Sequence, residues 1–418
     1  MKKSKFVADV VVNDHTRLLY NSIEKKYYEY DEAEKNYIED LLKNINRGEY
    51  STKDLAVIRE LLSKKIIISD DMDEMNFLAY KENQIRYQSD TFHIMILVTN
   101  GCNFRCEYCV QEHINVSLTD SSADKIVSLI RNRAKQVKRV KITWFGGEPL
   151  LQYKRIKQMM EEIIEIGEKF NCQIEAGIVS NGFLLDREKI QTLKKLHVNM
   201  MQITLDGDRD THNKRRYLSN GEGTYDTVVH NVQMLLENEI PVLLRINIDE
   251  NSYQSATDVL NTIPKEYRGR VSVSVSNFYQ TEKKVSPYEI YRKAIKMGYR
   301  YPNRANVFMA CQTCLMNGII VDASGDLIIC ANADKEDKKL GFIDEEGKIR
   351  IQNSAAYYKL KTVSALQNPA CKECEQLPFC IGTCKYGRYK NNDKCIGMKN
   401  DGLTIQELAK LDYLYDKN

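Results

Sequence analysis

Between about residues 92 and 300, short β-rich apolar runs alternate with amphipathic helical stretches, and this alternation constrains the fold more than any other feature. The strand candidates are Ile94–Val98, Val140–Trp144, Ile174–Val179, Met201–Leu205, Val242–Ile248 and Val271–Ser276. Helical patterns at Ala123–Lys135, Ile156–Lys169, Arg187–Leu196, Thr227–Glu237, Ser255–Thr262 and Tyr288–Lys296 separate or follow them. A strand followed by a helix, repeated six times, predicts a parallel sheet with helices packed outside, as an open sheet or an incomplete barrel. Functional side chains then gather at the carboxyl ends of the strands. With only 20 Gly and 7 Pro in 418 residues, an all-β architecture built on tight turns is disfavoured. The 43% hydrophobic and 28% charged content excludes a disordered or fibrous chain.

Residues 1 to about 88 form a separate block. Phe6–Val12, Leu18–Tyr20 and Lys26–Tyr30 read as short strands, and Glu32–Lys43 and Leu55–Leu62 as helices. The second helix opens on Ser51-Thr52-Lys53-Asp54, a capping-box pattern, and Ile66–Ile68 follows as a strand. Strands, helices and a closing strand in this order suit a winged-helix-like α+β module, whose plain alternative is a structural extension shielding one end of the barrel. A net charge of +3 gives no reason to expect nucleic acid or an anionic membrane as partner. No apolar run approaches the roughly 18 residues of a membrane span, and Asp9 interrupts the apolar part of a poor signal peptide at Met1–Asn13. The expectation is a cytoplasmic protein.

In a reducing compartment the 12 cysteines are an anomaly, because metal ligation or catalysis is then a better use of thiols than disulfides. They are not scattered: Cys102, Cys106 and Cys109 come first, Cys172 stands alone, and the rest fall between Cys311 and Cys395. The first three follow directly on the strand Ile94–Val98. Three thiolates on one loop can hold three irons of a cubane cluster and leave the fourth iron open, as a catalytic site requires. A zinc knuckle completed by His113 is the competing reading. Further motifs stand at the ends of later strands: Gly146-Gly147-Glu148-Pro149, Ser180-Asn181-Gly182, and Asp206-Gly207 followed by His212 and Arg216. Glycines permit close backbone approach, and a carboxylate such as Glu148 accepts hydrogen bonds from an ammonium group. Gly-Gly pairs and Asp-Gly turns are common loop chemistry, but their placement at successive strand ends is not.

Over about residues 92–300 the sequence resembles the radical S-adenosylmethionine (radical SAM) enzymes. The resemblance implies that Cys102, Cys106 and Cys109 hold a [4Fe–4S] cluster, with Tyr108 near the adenine of the cofactor. It implies that Gly146, Gly147, Glu148 and Pro149 hold the methionine amino group, and that Ser180 and Asn181 face the ribose or sulfonium. Asp206 belongs to the same cofactor-binding set, and Arg216 matches a position that can pair with the cofactor carboxylate. The chemistry implied is one-electron cleavage of S-adenosylmethionine to a 5′-deoxyadenosyl radical, which abstracts an unactivated hydrogen. The protein supplies orientation and excludes water.

The second cysteine field reads Cys311-x2-Cys314, Gly325-x4-Cys330, Cys371-x2-Cys374-x5-Cys380-x3-Cys384 and Cys395. So many thiols with polar linkers make metal binding a large part of this region's folding free energy. Two four-thiolate zinc sites are the alternative that spacing leaves open. The whole string resembles the SPASM extension found on a subset of radical SAM enzymes. By that resemblance Cys311, Cys314, Cys330 and Cys384 ligate one further [4Fe–4S] cluster, and Cys371, Cys374, Cys380 and Cys395 another. Three clusters would use all thiols except Cys172, read as a buried structural cysteine. Full ligation of the nearer auxiliary cluster favours electron transfer over direct binding of substrate.

The expected architecture is therefore a partial (β/α)6 TIM-type barrel over residues 89–300, a winged-helix-like module over 1–88, and a SPASM domain over 301–418. The expected activity is maturation of a ribosomally made precursor peptide. Its leader would bind the first module as an added strand, a flavodoxin- or ferredoxin-type reductant would supply electrons, and oxidation would install a C–C, C–O or thioether cross-link. An anaerobic sulfatase-maturating enzyme is the second reading. Two departures count against it: residues 1–88 are a long extension for that group, and Ala331 stands where those enzymes carry an Asp base. A zinc or iron–sulfur electron-transfer protein is the third, and it leaves the strand-end motifs unexplained. Among lesser candidates, His212 either orders the loop beside the cofactor or plays an ordinary loop role. Asp322 and Asp326 supply a base or shape a turn. A helix over Thr404–Tyr415 covers the barrel with Leu408, Leu411 and Leu414.

Overall fold

The computed structural model describes residues 1–278, 283–301, 311–333, 338–381, 384–395 and 402–418. Strand β1 (Lys2–Lys3) leads into an antiparallel sheet of β2 (Val7–Val11), β3 (Thr16–Asn21) and β4 (Lys26–Asp31), with β3 central. Helices Lys35–Lys43 and Thr52–Ser63 follow, and the short β5 (Ile67–Ile68) returns to pair with β1. Ser51 and Asp54 form the reciprocal capping box that their spacing predicts. One face of the sheet buries Leu19, Tyr28 and Tyr30 against Ile38, Leu41, Ile58 and Leu61 of these helices.

A helix at Glu74–Arg86, capped by Asp73, was not expected. Its inward stripe is Leu78, Glu82 and Arg86, at four-residue spacing. Two of those three positions are charged, so hydrophobic periodicity gives no signal, and burial is paid for by ion pairing instead. Arg86 Nη2 reaches Glu82 Oε1 at 2.7 Å, with both side chains almost fully buried.

The repeated strand–helix pattern forms as expected. Strands β6 (Thr91–Thr99), β7 (Arg139–Gly146), β8 (Gln173–Ser180), β9 (Val198–Thr204), β10 (Val242–Ile248) and β11 (Val271–Asn277) are parallel and adjacent in chain order. Along β7 the buried Val140, Ile142 and Trp144 face the helix layer, while the alternate residues line the other, concave face. The expected helix Ser255–Thr262 forms as one turn at Tyr253–Ala256 followed by a 3-10 stretch at Asp258–Asn261. Among the described residues the sheet does not close, as the incomplete-barrel reading required: β11 is the strand at one edge, bridged only by Arg300 beside Ser272, and the other side of β6 is taken by β12 (Gly318–Val321), also parallel. Then β13 (Asp326–Ile328), β14 (Lys339–Ile343) and β15 (Ile349–Ile351) continue the same sheet antiparallel.

The helix Ile405–Lys417 packs two ways at once. Leu408 and Leu411 join the main core, as the sequence predicts, whereas Ile405 and Ala409 lie on Val10, Leu18 and Tyr20 of the N-terminal sheet. Tyr20 donates to Asp412 at 2.5 Å, and Tyr413 and Lys417 both reach Glu29. Among the described residues no helix is long and apolar enough to cross a membrane.

Candidate active site

The carboxyl ends of the parallel strands carry the polar motifs. The loop after β6 holds the three early cysteines and is anchored from below by Phe104, which is fully buried. Arg105 donates its backbone N–H to Tyr217 O, Glu107 to Arg215 O, and Ser219 to Asn103 O. This short ladder ties the cysteine loop to the segment bearing Arg215 and Arg216.

Gly146 and Gly147 explain why β7 ends on a glycine pair. A Cβ on Gly146, whose φ is +134°, would lie 2.2 Å from Thr99 O, and one on Gly147 would lie 2.3 Å from Gly101 O. Their close approach is thus to the backbone that leads into Cys102. Glu148 is fully buried and already spends its carboxylate on the protein: Oε1 accepts from Ser180 Oγ at 2.8 Å and Leu150 N at 3.0 Å, and Oε2 from Asn181 N at 2.7 Å. Burial raises its pKa, and those three donors oppose the rise. Glu148 therefore welds the end of β7 to the end of β8, while Pro149 starts the short helical turn that follows.

Asp206 organises the floor. Its Oδ1 accepts Asn247 N at 2.8 Å from the end of β10, and its Oδ2 accepts the Tyr108 hydroxyl. Arg216 Nη1 donates to that same hydroxyl at 2.6 Å. Burial raises the Asp206 pKa, with Arg216 pulling against it; burial likewise opposes the Arg216 charge, but Tyr108, Cys106 and Asp206 hold its pKa above the ordinary value. The Tyr108 ring stacks on Phe278, with centroids 4.5 Å apart. Sequence reasoning passed over Asn247 and Phe278. Asn247 stands two residues before Asp249, and its place in register at the end of β10 was the available signal.

His212 settles into a loop-ordering role. Its Nδ1 accepts from Asp206 N at 3.2 Å, so the proton sits on Nε2, which faces Thr224 Oγ1 at 3.1 Å. Thr224 Oγ1 in turn donates to Arg216 O at 2.6 Å. Burial drives the imidazole pKa well below its ordinary 6.5. The unfolded chain then binds a proton that the folded one rejects, so this stability is full above pH 6.5 and is lost as pH falls. The unfolding free energy of the wild-type protein, read from urea titrations, should fall by about 1.4 kcal/mol per pH unit below that point, with a shallower slope in His212→Gln.

Asp322 is a turn residue: its Oδ1 accepts Ser324 N at 2.9 Å and Asp326 N at 3.1 Å, around Gly325 at φ +86°. Asp326 pairs with Lys339 at 2.9 Å. Cys172 is buried and apart from the other thiols, in the main core.

The thiols are gathered without converging. Burial pushes Cys102 up to about 11 and Cys106 upward, and each is raised further by neighbouring cysteines of the same loop. In the later field Cys314 is influenced by Cys311, and Cys330 by Cys311 and Cys384. These are the four thiols assigned by resemblance to the first auxiliary set, Cys330 and Cys384 being 54 positions apart in the chain. Of the second set, Cys371 lies buried with Phe6, Leu78 and Leu377, and Cys374 N donates to Cys371 O at 3.0 Å. Cys380 is half-buried and Cys395 exposed. Among the described residues, no three His, Cys, Asp or Glu side chains stand close enough to hold a metal ion as placed. The donor chemistry nonetheless fits an iron–sulfur cluster at the first loop: three thiols, with Asn103 Nδ2 and Arg216 Nε buried nearby without hydrogen-bond partners. Raised thiol pKa values mean that ligation there must displace protons.

Comparison with known proteins agrees with this arrangement. Residues 96–261 match the model of the Radical SAM superfamily. The chain is 22% identical to the radical SAM cyclopropyl synthase TigE of Paramaledivibacter caminithermalis, over 94% of this chain and 92% of that one. It is 19% identical to a cysteine-type anaerobic sulfatase-maturating enzyme of Clostridium novyi, over 76% of this chain and 95% of that one. Among solved structures, Streptococcus suis SuiB bound to precursor peptide SuiA aligns with a TM-score of 0.53 and 14% identity, covering 93% of this chain and 96% of SuiB. The sulfatase-maturating enzyme anSMEcpe with bound AdoMet aligns with a TM-score of 0.57 and 17% identity, covering 78% of this chain and 96% of that one.

Proposed function

The chain carries a radical SAM domain, and on that premise we propose that it matures a ribosomally made precursor peptide, abstracting hydrogen and oxidatively installing a cross-link. The observation that carries this reading is the extent of the likeness. TigE and SuiB match more than nine-tenths of the chain, whereas the sulfatase-maturating relatives match 76–78% of it. A further observation disfavours formylglycine chemistry. Ala331 packs with Met95, Leu97, Phe145, Ile320 and Ile328 in a small apolar cluster. An alanine in apolar surroundings cannot take a proton, so the base expected of a sulfatase-maturating enzyme is missing there.

When bound, the first cluster and S-adenosylmethionine supply the radical that starts the reaction. The chain's own residues do the rest. Cys102, Cys106 and Cys109 offer the thiolates, and Gly146 and Gly147 let their loop lie flat against β7. Asn103, Asn181 and Arg216 present polar atoms at the strand ends. Asp206 and Arg216, both buried, form with the half-buried Tyr108 and Asn247 a hydrogen-bonded set that fixes the floor. The four-thiol groups Cys311, Cys314, Cys330, Cys384 and Cys371, Cys374, Cys380, Cys395 would hold auxiliary clusters that take electrons. The outer strands β2 and β4 are the edges to which an extended leader peptide can add. The TigE relative's name ranks carbon–carbon bond formation first among the products.

Anaerobic reconstitution should give about twelve irons per chain from the ligand count. Incubation with reductant, S-adenosylmethionine and the peptide encoded beside the gene should release 5′-deoxyadenosine and remove two hydrogens from the peptide, read by mass spectrometry. Formylglycine on a sulfatase peptide, with no change in the neighbouring peptide, would sink the proposal.

A further inference from the structure

A group of buried charges next to Cys314 has no part in the chemistry above. Arg86, Lys361 and Lys385 are 4%, 5% and 6% exposed, and Glu82 is 6% exposed. Glu82 Oε1 accepts from Arg86 Nη2 at 2.7 Å and from Lys385 Nζ at 3.1 Å, and Glu82 Oε2 accepts from Ser364 Oγ at 2.5 Å. Lys361 has no carboxylate among the described residues. Among the described residues its Nζ donates to the carbonyls of Leu315 and Gly318, at 2.5 and 2.7 Å.

Three buried cations thus face one buried carboxylate, leaving two positive charges uncompensated by described residues. Buried charge is costly unless it is paired. All three cations act on Cys314, which is 2% exposed and itself coupled to Cys311. The placement is close: Lys361 Nζ donates to the carbonyl of Leu315, next in sequence to Cys314, and Arg86 O accepts from Met316 N at 2.9 Å. A [4Fe–4S] cluster held by four thiolates carries two negative charges when oxidised and three when reduced. Such a cluster would supply the missing anion, and it would gain most from the cations in its reduced state.

Resting on the reading of Cys311, Cys314, Cys330 and Cys384 as cluster ligands, we propose that Lys361 is a redox-tuning residue. Its buried positive charge, added to those of Arg86 and Lys385, raises the reduction potential of that auxiliary cluster and makes it the electron acceptor of the pair. Glu82 sets the opposite limit, because its single negative charge holds the potential down. Lys361 touches neither substrate nor cofactor in this role. It acts through the field at the cluster, since in a low-dielectric interior a unit charge is felt over several ångströms.

The test is an anaerobic redox titration of the reconstituted full-length protein, followed by electron paramagnetic resonance, with iron counted in each sample. Lys361→Met should shift one of the three transitions to lower potential and leave the other two in place. Lys361→Arg should restore it. Glu82→Gln, nearly isosteric, should move the same transition upward, a sign that loose packing would not produce. Full iron with unmoved transitions in Lys361→Met and Glu82→Gln would overturn the proposal alone. If Lys361→Met loses iron, Glu82→Gln decides: an upward shift supports the proposal and none overturns it. A wild-type chain with only about four irons would overturn the reading of the cysteine field and this proposal together.

Discussion

Replacing Gly147 with Ala should cost the protein one cluster's share of its iron, about four of twelve, and reduce 5′-deoxyadenosine release at least ~100-fold. The cause is local and steric. The new methyl group would stand 2.3 Å from Gly101 O and 2.8 Å from Asn100 O, both backbone atoms that cannot swing aside. Relief requires moving the segment Thr99–Gly101, and that segment positions Cys102. Forcing a methyl into so closed a site costs about 1–3 kcal/mol, too little to unfold the chain, so the later cysteines should keep their iron. Gly269→Ala is the matched control, since nothing lies within 4 Å of its added Cβ. Iron analysis and chromatography of 5′-deoxyadenosine read both variants. Normal iron and normal release in Gly147→Ala would show that the glycine pair has slack the packing does not reveal.

Deleting residues 1–88 should do more than abolish leader binding. The truncated chain should lose iron from the later cysteine field and melt without a single cooperative transition. Phe6 and Leu78 share a buried cluster with Ala365, Cys371, Leu377 and Ile381, so the deletion strips apolar cover from Cys371, one of the thiols proposed as cluster ligands. Each of those large side chains contributes roughly 1.5–3 kcal/mol when fully buried. The deletion also removes Glu82, the carboxylate paired with the buried Lys385 among the described residues, and exposes Ile405 and Ala409, which lie under the N-terminal sheet. Circular dichroism and iron content against the full-length protein measure the effect. A fragment that keeps its later iron and folds cooperatively would show the block to be a separable attachment. Leader recognition is better probed by substitutions on β4 that leave the shared core whole.

The central fold was legible because each strand–helix unit buries one face, and burial on one face leaves a period in the sequence. The first cysteine loop stood out for a different reason: thiols are rare, and their spacing at the end of β6 marks them as candidate ligands. Two things were hidden. The helix Glu74–Arg86 docks through Glu82 and Arg86, residues that any hydropathy pattern places outside. The continuation of the sheet through β12 follows from a parallel pairing of Gly318–Val321 with His93–Ile96, a contact between segments more than 200 residues apart. Four apolar residues carry no label for their partner. Glu148 shows the limit within the site itself. Its motif was read as facing the cofactor, yet its carboxylate is engaged by Ser180, Asn181 and Leu150 of the protein.

The helix Ile405–Lys417 has a bearing on how the molecule is made. Tyr20 meets its partner Asp412 across 392 positions of chain. Synthesis delivers the N-terminal strands first, but the face they present to this helix stays uncovered until nearly all of the remaining chain has been translated. By the end of that interval all 12 cysteines have been synthesised, since the last of them, Cys395, precedes the helix. Metal delivery therefore has a window in which the thiols are present and the closing contact is not.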